Sequence, residues 1–284
     1  VYDVRASVMR IGVGLWAASV LAIMGGTVYG QADKPQDGKK RILFYSQSCG
    51  FRHSVVVRPV TGELAYAEKM LKEIAGQAGY EVDVTQDFHD LKSDNVYKKY
   101  DAVVFYTTGN PPINRNALMK FIRDGGAFIG IHTATDTFHS ESGPRPEDKC
   151  GAPWPEYVRM VGAAFRTHGK QHEVVIKVED PNHPATKPVP ADWKILDEIY
   201  LFKDFSRDNM HVLLSVDTTQ LSDEALKALA MERGQDYPVA WTRTEGKGRI
   251  FYTSLGHRED VWTNPVWRQH LLGGMAWALE KGPR

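Results

Sequence analysis

Short apolar runs and amphipathic stretches take turns along the first half of the chain. Residues 41–46 (Arg-Ile-Leu-Phe-Tyr-Ser) are apolar at the centre and read as a first strand, with 48–54 as the loop at its carboxyl end. Between Pro59 and about Gln77, the spacing of Leu64, Met70, Leu71 and Ile74 predicts a helix opened by the proline and ended before Gly79. Residues 80–85 alternate as a second strand, and 100–106 form a third, buried one. A helix over 114–123 then feeds the Gly125-Gly126 turn. The run after it, Ala127-Phe128-Ile129-Gly130-Ile131, is apolar at every position, as expected of a strand covered on both faces inside a parallel sheet. Strand and helix therefore alternate from 41 to 134, the signature of βαβ units.

After Asp136 the pattern loosens. Residues 140–155 are rich in Gly, Pro and charge and read as a surface insertion near the strand ends. A helix is predicted over 155–161, a strand over 173–178, a turn at Asn182-His183-Pro184, a further run over 193–202 and a strand over 211–216. Residues 237–242 and 249–254 flank Glu245-Gly246-Lys247-Gly248 as a β-hairpin, and 265–279 is the closing helix. The fold class expected is α/β: a three-layer, mostly parallel sheet flanked by helices, in one domain over 41–284.

The amino-terminal stretch has a different character. Arg5 and Arg10 precede an apolar run over 11–28, and Val28-Tyr29-Gly30 suits a signal peptidase, with Gln31 as the expected mature start. A signal peptide over 1–30, a polar linker over 31–40 and export to the periplasm or medium are the expectation. Gly12, Gly14, Gly25 and Gly26 interrupt the run, which weighs against an uncleaved anchor, so no stable membrane span is expected after cleavage. Met9-Arg10 with the following run makes a complete short signal, so Val1 and Met9 are alternative starts.

Lys+Arg and Asp+Glu each number 35, which removes any charge-driven case for a nucleic-acid partner. Seven Trp and 12 Tyr are enough for a core and for the stacking surfaces a sugar cleft uses. Cys49 and Cys150 fit an exported protein with at most one disulfide, and both bridged and free states are open.

Ligands of parallel sheets sit at the carboxyl ends of the strands, where the polar cluster His132-Thr133-Ala134-Thr135-Asp136 follows the buried run. Four histidines fall at such ends or in adjacent loops: His53, His132, His168 and His257, with Asp136, Gln171, Glu198 and Tyr200 as further polar candidates. Converging imidazoles and carboxylates bind a divalent metal such as Zn²⁺, with His53, His132 and His168 as the expected ligands. The same groups serve metal-free acid/base chemistry, and no compact metal motif decides between the two. No nucleotide cofactor is expected. His183 reads as structural, and His89, His139, His211 and His270 as surface or packing residues.

Several of these stretches also carry a resemblance. Gly50-Phe51-Arg52-His53-Ser54, Gly130-Ile131-His132-Thr133-Ala134-Thr135-Asp136, His183-Pro184, Asp197-Glu198-Ile199-Tyr200, Pro238-Val239-Ala240-Trp241 and residues 246–257 resemble, in this order, the ThuA-like (trehalose-utilisation) family. The resemblance implies a fold similar to class I glutamine amidotransferases, a flavodoxin-like arrangement. In those enzymes the corresponding strand ends Gly-Ile-Cys-x-Gly, whereas this chain has Gly130-Ile131-His132-Thr133-Ala134, and His257-Arg258-Glu259 resembles their His-Pro-Glu. An imidazole does not replace the attacking thiolate, so glutaminase activity is not expected. The resemblance implies instead an exported protein of carbohydrate metabolism acting on a glycoside or keto-sugar by acid/base, optionally metal-assisted, chemistry. His132 and His257, assisted by Glu198 or Asp136, are the expected catalytic residues, with Glu259 orienting His257. His53, Arg52, Gln171, Tyr200 and Trp241 are the expected substrate-binding residues of this small-molecule site. Two alternatives stand beside it: a non-catalytic carbohydrate-binding or scaffold protein on a degenerate amidotransferase fold, and a metal-dependent hydrolase.

Overall fold

The structure, a computed structural model, describes residues 38–139 and 150–280. The expected signal peptide, residues 31–37 of the linker and residues 140–149 of the insertion lie outside the described residues. Strands β1 (Arg41–Tyr45), β2 (Glu81–Thr85), β3 (Ala102–Phe105) and β4 (Ala127–Ile131) are parallel neighbours in the order β2-β1-β3-β4. β3 and β4 are buried at every position because α1 (Tyr66–Gln77) and α2 (Arg115–Arg123) belong to apolar layers on opposite faces of the sheet.

The second half extends the same sheet. After α3 (Pro155–Val161) come β5 (Ala164–His168), β6 (His172–Val178), β7 (Lys194–Asp197), β8 (Tyr200–Lys203) and β9 (His211–Val216). They are followed by α4 (Asp223–Leu229), β10 (Pro238–Glu245), β11 (Gly248–Thr253), α5 (Glu259–Thr263) and α6 (Pro265–Leu279). β11 pairs in parallel with β4, and β10, β9, β6 and β7 continue outward in antiparallel steps. The sheet is thus α/β and mixed: five parallel strands hold the centre and one flank, and four antiparallel ones form the other. Among the described residues no helix is long and apolar enough to cross a membrane.

The β10–β11 hairpin sits tightly on α2. Gly246 turns with φ +60°, and a Cβ at Gly248 would lie 2.2 Å from the Ile122 carbonyl oxygen, so no side chain fits there.

Three expectations change. The helix expected from Pro59 starts at Tyr66, because Gly62, at φ +82°, interrupts the chain before it. Glu68 is fully buried; it accepts the Ala65 N–H at 2.8 Å and pairs with Arg58, folding the preceding loop onto the helix start. The run over 193–202 is two strands: β7 pairs with β6 in the main sheet, while β8 pairs with β5 in a separate two-stranded sheet. Their junction is held by Asp197, whose Oδ2 accepts the Gly256 N–H at 2.7 Å. β5, α4 and α5 were not anticipated. Cys49 and Cys150 form a disulfide, with Cα atoms 5.8 Å apart.

Candidate metal centre

Four strand ends converge on one point. The loop after β1 carries His53 just before a 3₁₀ turn over Ser54–Val56. β4 ends at Ile131, and His132 opens a 3₁₀ turn with φ +45°, in the left-handed region that an L-residue enters at a cost. The Tyr252 hydroxyl donates to the His132 carbonyl at 2.7 Å and holds it in that conformation. β11 leads through Ser254 and Gly256 to His257, and Glu198 stands at the junction of β7 and β8.

The three imidazoles are mutually almost perpendicular. Ring centroids of His53–His132, His53–His257 and His132–His257 lie 5.0, 4.9 and 5.2 Å apart at 90°, 85° and 83°. His132 Nε2 is 3.2 Å from His257 Nδ1 and 3.5 Å from Glu198 Oε2, and His257 Nδ1 is 3.2 Å from the same oxygen. Tetrahedral Zn²⁺ with bonds of about 2.0–2.2 Å has ligand–ligand edges of about 3.3 Å, so these three edges have the size such a site requires. One donor atom from each of His53, His132, Glu198 and His257 lies within 4.8 Å of all the others.

The electrostatics keep donors available. Burial, with the neighbouring His132 and His257, lowers His53 to about 2 against the opposing pull of Glu198, so it stays neutral. His53 Nδ1 is buried without a hydrogen-bond partner. Burial works to raise Glu198, but its contacts with His132 and His257 prevail and hold its carboxyl well below the usual range. His132 Nδ1 lies 2.6 Å from the Ser254 carbonyl, which can only accept, so the proton is on Nδ1 and the Nε2 lone pair faces the cluster.

The residues expected at the site separate into groups. His53, His132, His257 and Glu198 come together. His168, an expected metal ligand, stands one step outside: its Nδ1 lies 2.7 Å from the Gly169 carbonyl and 3.3 Å from Glu198 Oε1, and its ring is 43% exposed. Tyr200 is a buried wall, its ring 4.2 Å from that of His132. Gln171 reaches His257 at 2.9 Å, and Arg52 is exposed on the His53 loop. Asp136 binds His139 at 2.7 Å rather than any of the four, the two being three residues apart in one short turn, a spacing legible in the sequence. Glu259 is exposed at the start of α5, and Glu198 and Gln171 contact His257 instead. Trp241 is not available to a ligand. It is fully buried, stacks on Tyr252 at 4.3 Å and donates its indole N–H to the Val161 carbonyl.

A cleft of about 370 Å³ opens beside the cluster, lined by Ser54, Gln171, His257, Arg258, Glu259 and Asp260. A larger cavity of about 740 Å³ lies at the opposite, amino-terminal ends of the strands, around Lys40, Tyr97, Asp101 and Gly126, and contains none of the four donors. Of the two, the smaller cleft is the one that reaches the cluster, through His257.

The profile of the family described as ThuA, trehalose utilisation, matches residues 41–278. The chain belongs to the ThuA family. Two crystal structures described as ThuA-like share the fold of this ThuA chain. One, from Bacteroides uniformis ATCC 8492, has a TM-score of 0.65 at 21% identity and covers 89% of this chain and 95% of its own. The other, from Parabacteroides merdae ATCC 43184, has a TM-score of 0.62 at 21% identity and covers 87% and 93%. No protein of curated function matches the chain. Both cysteines of this ThuA chain are in the disulfide, and His132 at the end of β4 is fully buried.

Proposed function

We propose that this ThuA-family chain is an exported, divalent-metal-dependent enzyme of carbohydrate metabolism, acting on a glycoside or keto-sugar by proton transfer beside a carbonyl. The observation that carries the reading is the set of three perpendicular imidazoles and one carboxylate at ligand-to-ligand spacing. His53, His132, His257 and Glu198 would hold the ion. The buried, unpartnered His53 Nδ1 and the inward-facing lone pair of His132 fit that role. A bound ion such as Zn²⁺ would polarise a sugar carbonyl or hydroxyl.

The chain's own residues do the rest. Ser254 orients His132 through its carbonyl, and Tyr200 and Tyr106 pack against the His132 ring from within the core, keeping water from that side. His132 is sealed from solvent, so the proton-transfer role expected of it passes to His168, the accessible imidazole beside Glu198. Arg52, exposed on the His53 loop, and Gln171, exposed and in contact with His257, would contact substrate hydroxyls. Export is carried by the positive, then apolar, then small-residue pattern of residues 1–30.

The test is turnover by the metal-loaded protein on a panel of glycosides and 3-keto-glycosides. Conversion abolished by chelation and by His257→Ala supports the proposal. Binding of sugars with no turnover, metal-loaded or not, would favour the carbohydrate-binding alternative.

A further inference from the structure

One directed chain of hydrogen bonds runs through the cluster from an end that can only donate to an end that can only accept. Arg258 Nη1 donates to Gln171 Oε1 at 2.9 Å, since a guanidinium has no acceptor. The Gln171 amide is thereby turned so that its Nε2 faces His257 Nε2 at 2.9 Å. An amide nitrogen can only donate, so His257 Nε2 must offer a lone pair, and the His257 proton is on Nδ1. That Nδ1–H points into the cluster, 3.2 Å from both His132 Nε2 and Glu198 Oε2, which accept it. His132 Nδ1–H completes the chain at the Ser254 carbonyl.

The two histidines are therefore in different states of readiness. His132 presents a lone pair to the centre and a proton to a carbonyl, the arrangement of a metal-ligating histidine. His257 presents the proton to the centre. To coordinate through Nδ1 it must carry its proton on Nε2 instead, and Nε2–H needs an acceptor where Gln171 now offers a donor. Turning the amide over would supply that acceptor but would set its NH₂ against Arg258 Nη1. Arg258 has a second anchor to release toward, because its Nε and Nη2 already bind the two Asp260 oxygens at 2.9 and 3.0 Å.

We propose that Gln171, latched by Arg258, is a positioning residue that sets the tautomer of His257 and so regulates entry of a divalent cation into the cluster. The latched amide holds the metal-free tautomer; the turned amide admits the ion. The affinity part of this inference rests on the metal reading above, whereas the tautomer part does not.

The experiment is ¹⁵N NMR of the imidazoles in the metal-free full chain at pH 8, followed by Zn²⁺ titration, for wild type, Gln171→Glu and Arg258→Met. In wild type His257 is expected to be protonated on Nδ1. Gln171→Glu provides an acceptor for both neighbours, moves the proton to Nε2 and tightens Zn²⁺ binding by about tenfold or more. Arg258→Met releases the latch and tightens binding without adding an acceptor. Protonation of wild-type His257 on Nε2 would overturn the inference. So would a Gln171→Glu gain in affinity with no change of tautomer, which would be a field effect of the added charge. Absence of Zn²⁺ binding in all three chains, with the tautomer shift present, would remove the metal reading and leave the tautomer control standing.

Discussion

At the scale of single residues, the site depends on His132 occupying a backbone conformation that its side chain does not favour. With φ +45° it turns the chain sharply at the end of β4, aiming its ring at the cluster and its carbonyl at Tyr252. Donors and neighbours should therefore separate in mutants. His53→Ala, His132→Ala and His257→Ala are each expected to weaken Zn²⁺ affinity by at least about 100-fold in a competition titration with a chromophoric chelator. His168→Ala is expected to leave affinity within about tenfold of wild type while reducing kcat. If His168→Ala loses metal as completely as His53→Ala, His168 is a ligand and the set of four donors is wrong. Trp241→Ala should behave differently again, lowering stability by about 3–5 kcal/mol in urea unfolding with no direct effect on metal binding. The reason is its fully buried indole and its bond to Val161.

Among the elements, the short buried strands were the most readable part of the sequence. β1, β3 and β4 are apolar runs bounded by turn residues, and the β10–β11 hairpin is announced by Glu245-Gly246-Lys247-Gly248. The division of 193–202 into β7 and β8 was not readable, because the apolar pattern continues through Ile199 and the cause lies elsewhere: Asp197 is held by the Gly256 backbone, 59 residues away in sequence. Glu198 owes its place beside His132 and His257 to that division, whereas His168 stands in a visibly polar stretch. Pro59 misled for a similar reason. A proline that can open a helix does so only if the chain after it continues helically, and Gly62 does not. Two measurements belong to this scale. Gly248→Ala forces a Cβ to 2.2 Å from the backbone of α2, and thermal unfolding should show a large loss of Tm or no folded protein. In α6, burial lowers His270 to about 4, so it remains neutral in the native state while the unfolded chain binds a proton below about 6.5. Its contribution is fully present above about pH 6.5 and is lost as pH falls toward 4, at about 1.4 kcal/mol per pH unit. His270→Gln should flatten that part of the stability–pH curve in denaturant titrations.

For the whole molecule, the parallel α/β half was legible because a strand covered on both faces must be apolar throughout. The antiparallel extension was only partly so, since β5 to β7 mix exposed and buried positions. The Cys49–Cys150 bridge closes a sequence separation of 101 residues and ties the His53 loop to the segment entering α3. Reduction is expected to lower stability by about 2–4 kcal/mol in denaturant unfolding. It should also weaken metal binding, because His53 lies close after Cys49. Under the proposed function, four side chains from the β1, β4 and β11 ends and the β7–β8 junction form one divalent-metal centre. Elemental analysis of the purified chain, dialysed after saturation with Zn²⁺, decides this, with the Glu198→Ala, His53→Ala double variant alongside. About one equivalent in wild type and close to none in the double variant is the expected result. A metal-free wild type, or equal metal in both, would contradict it.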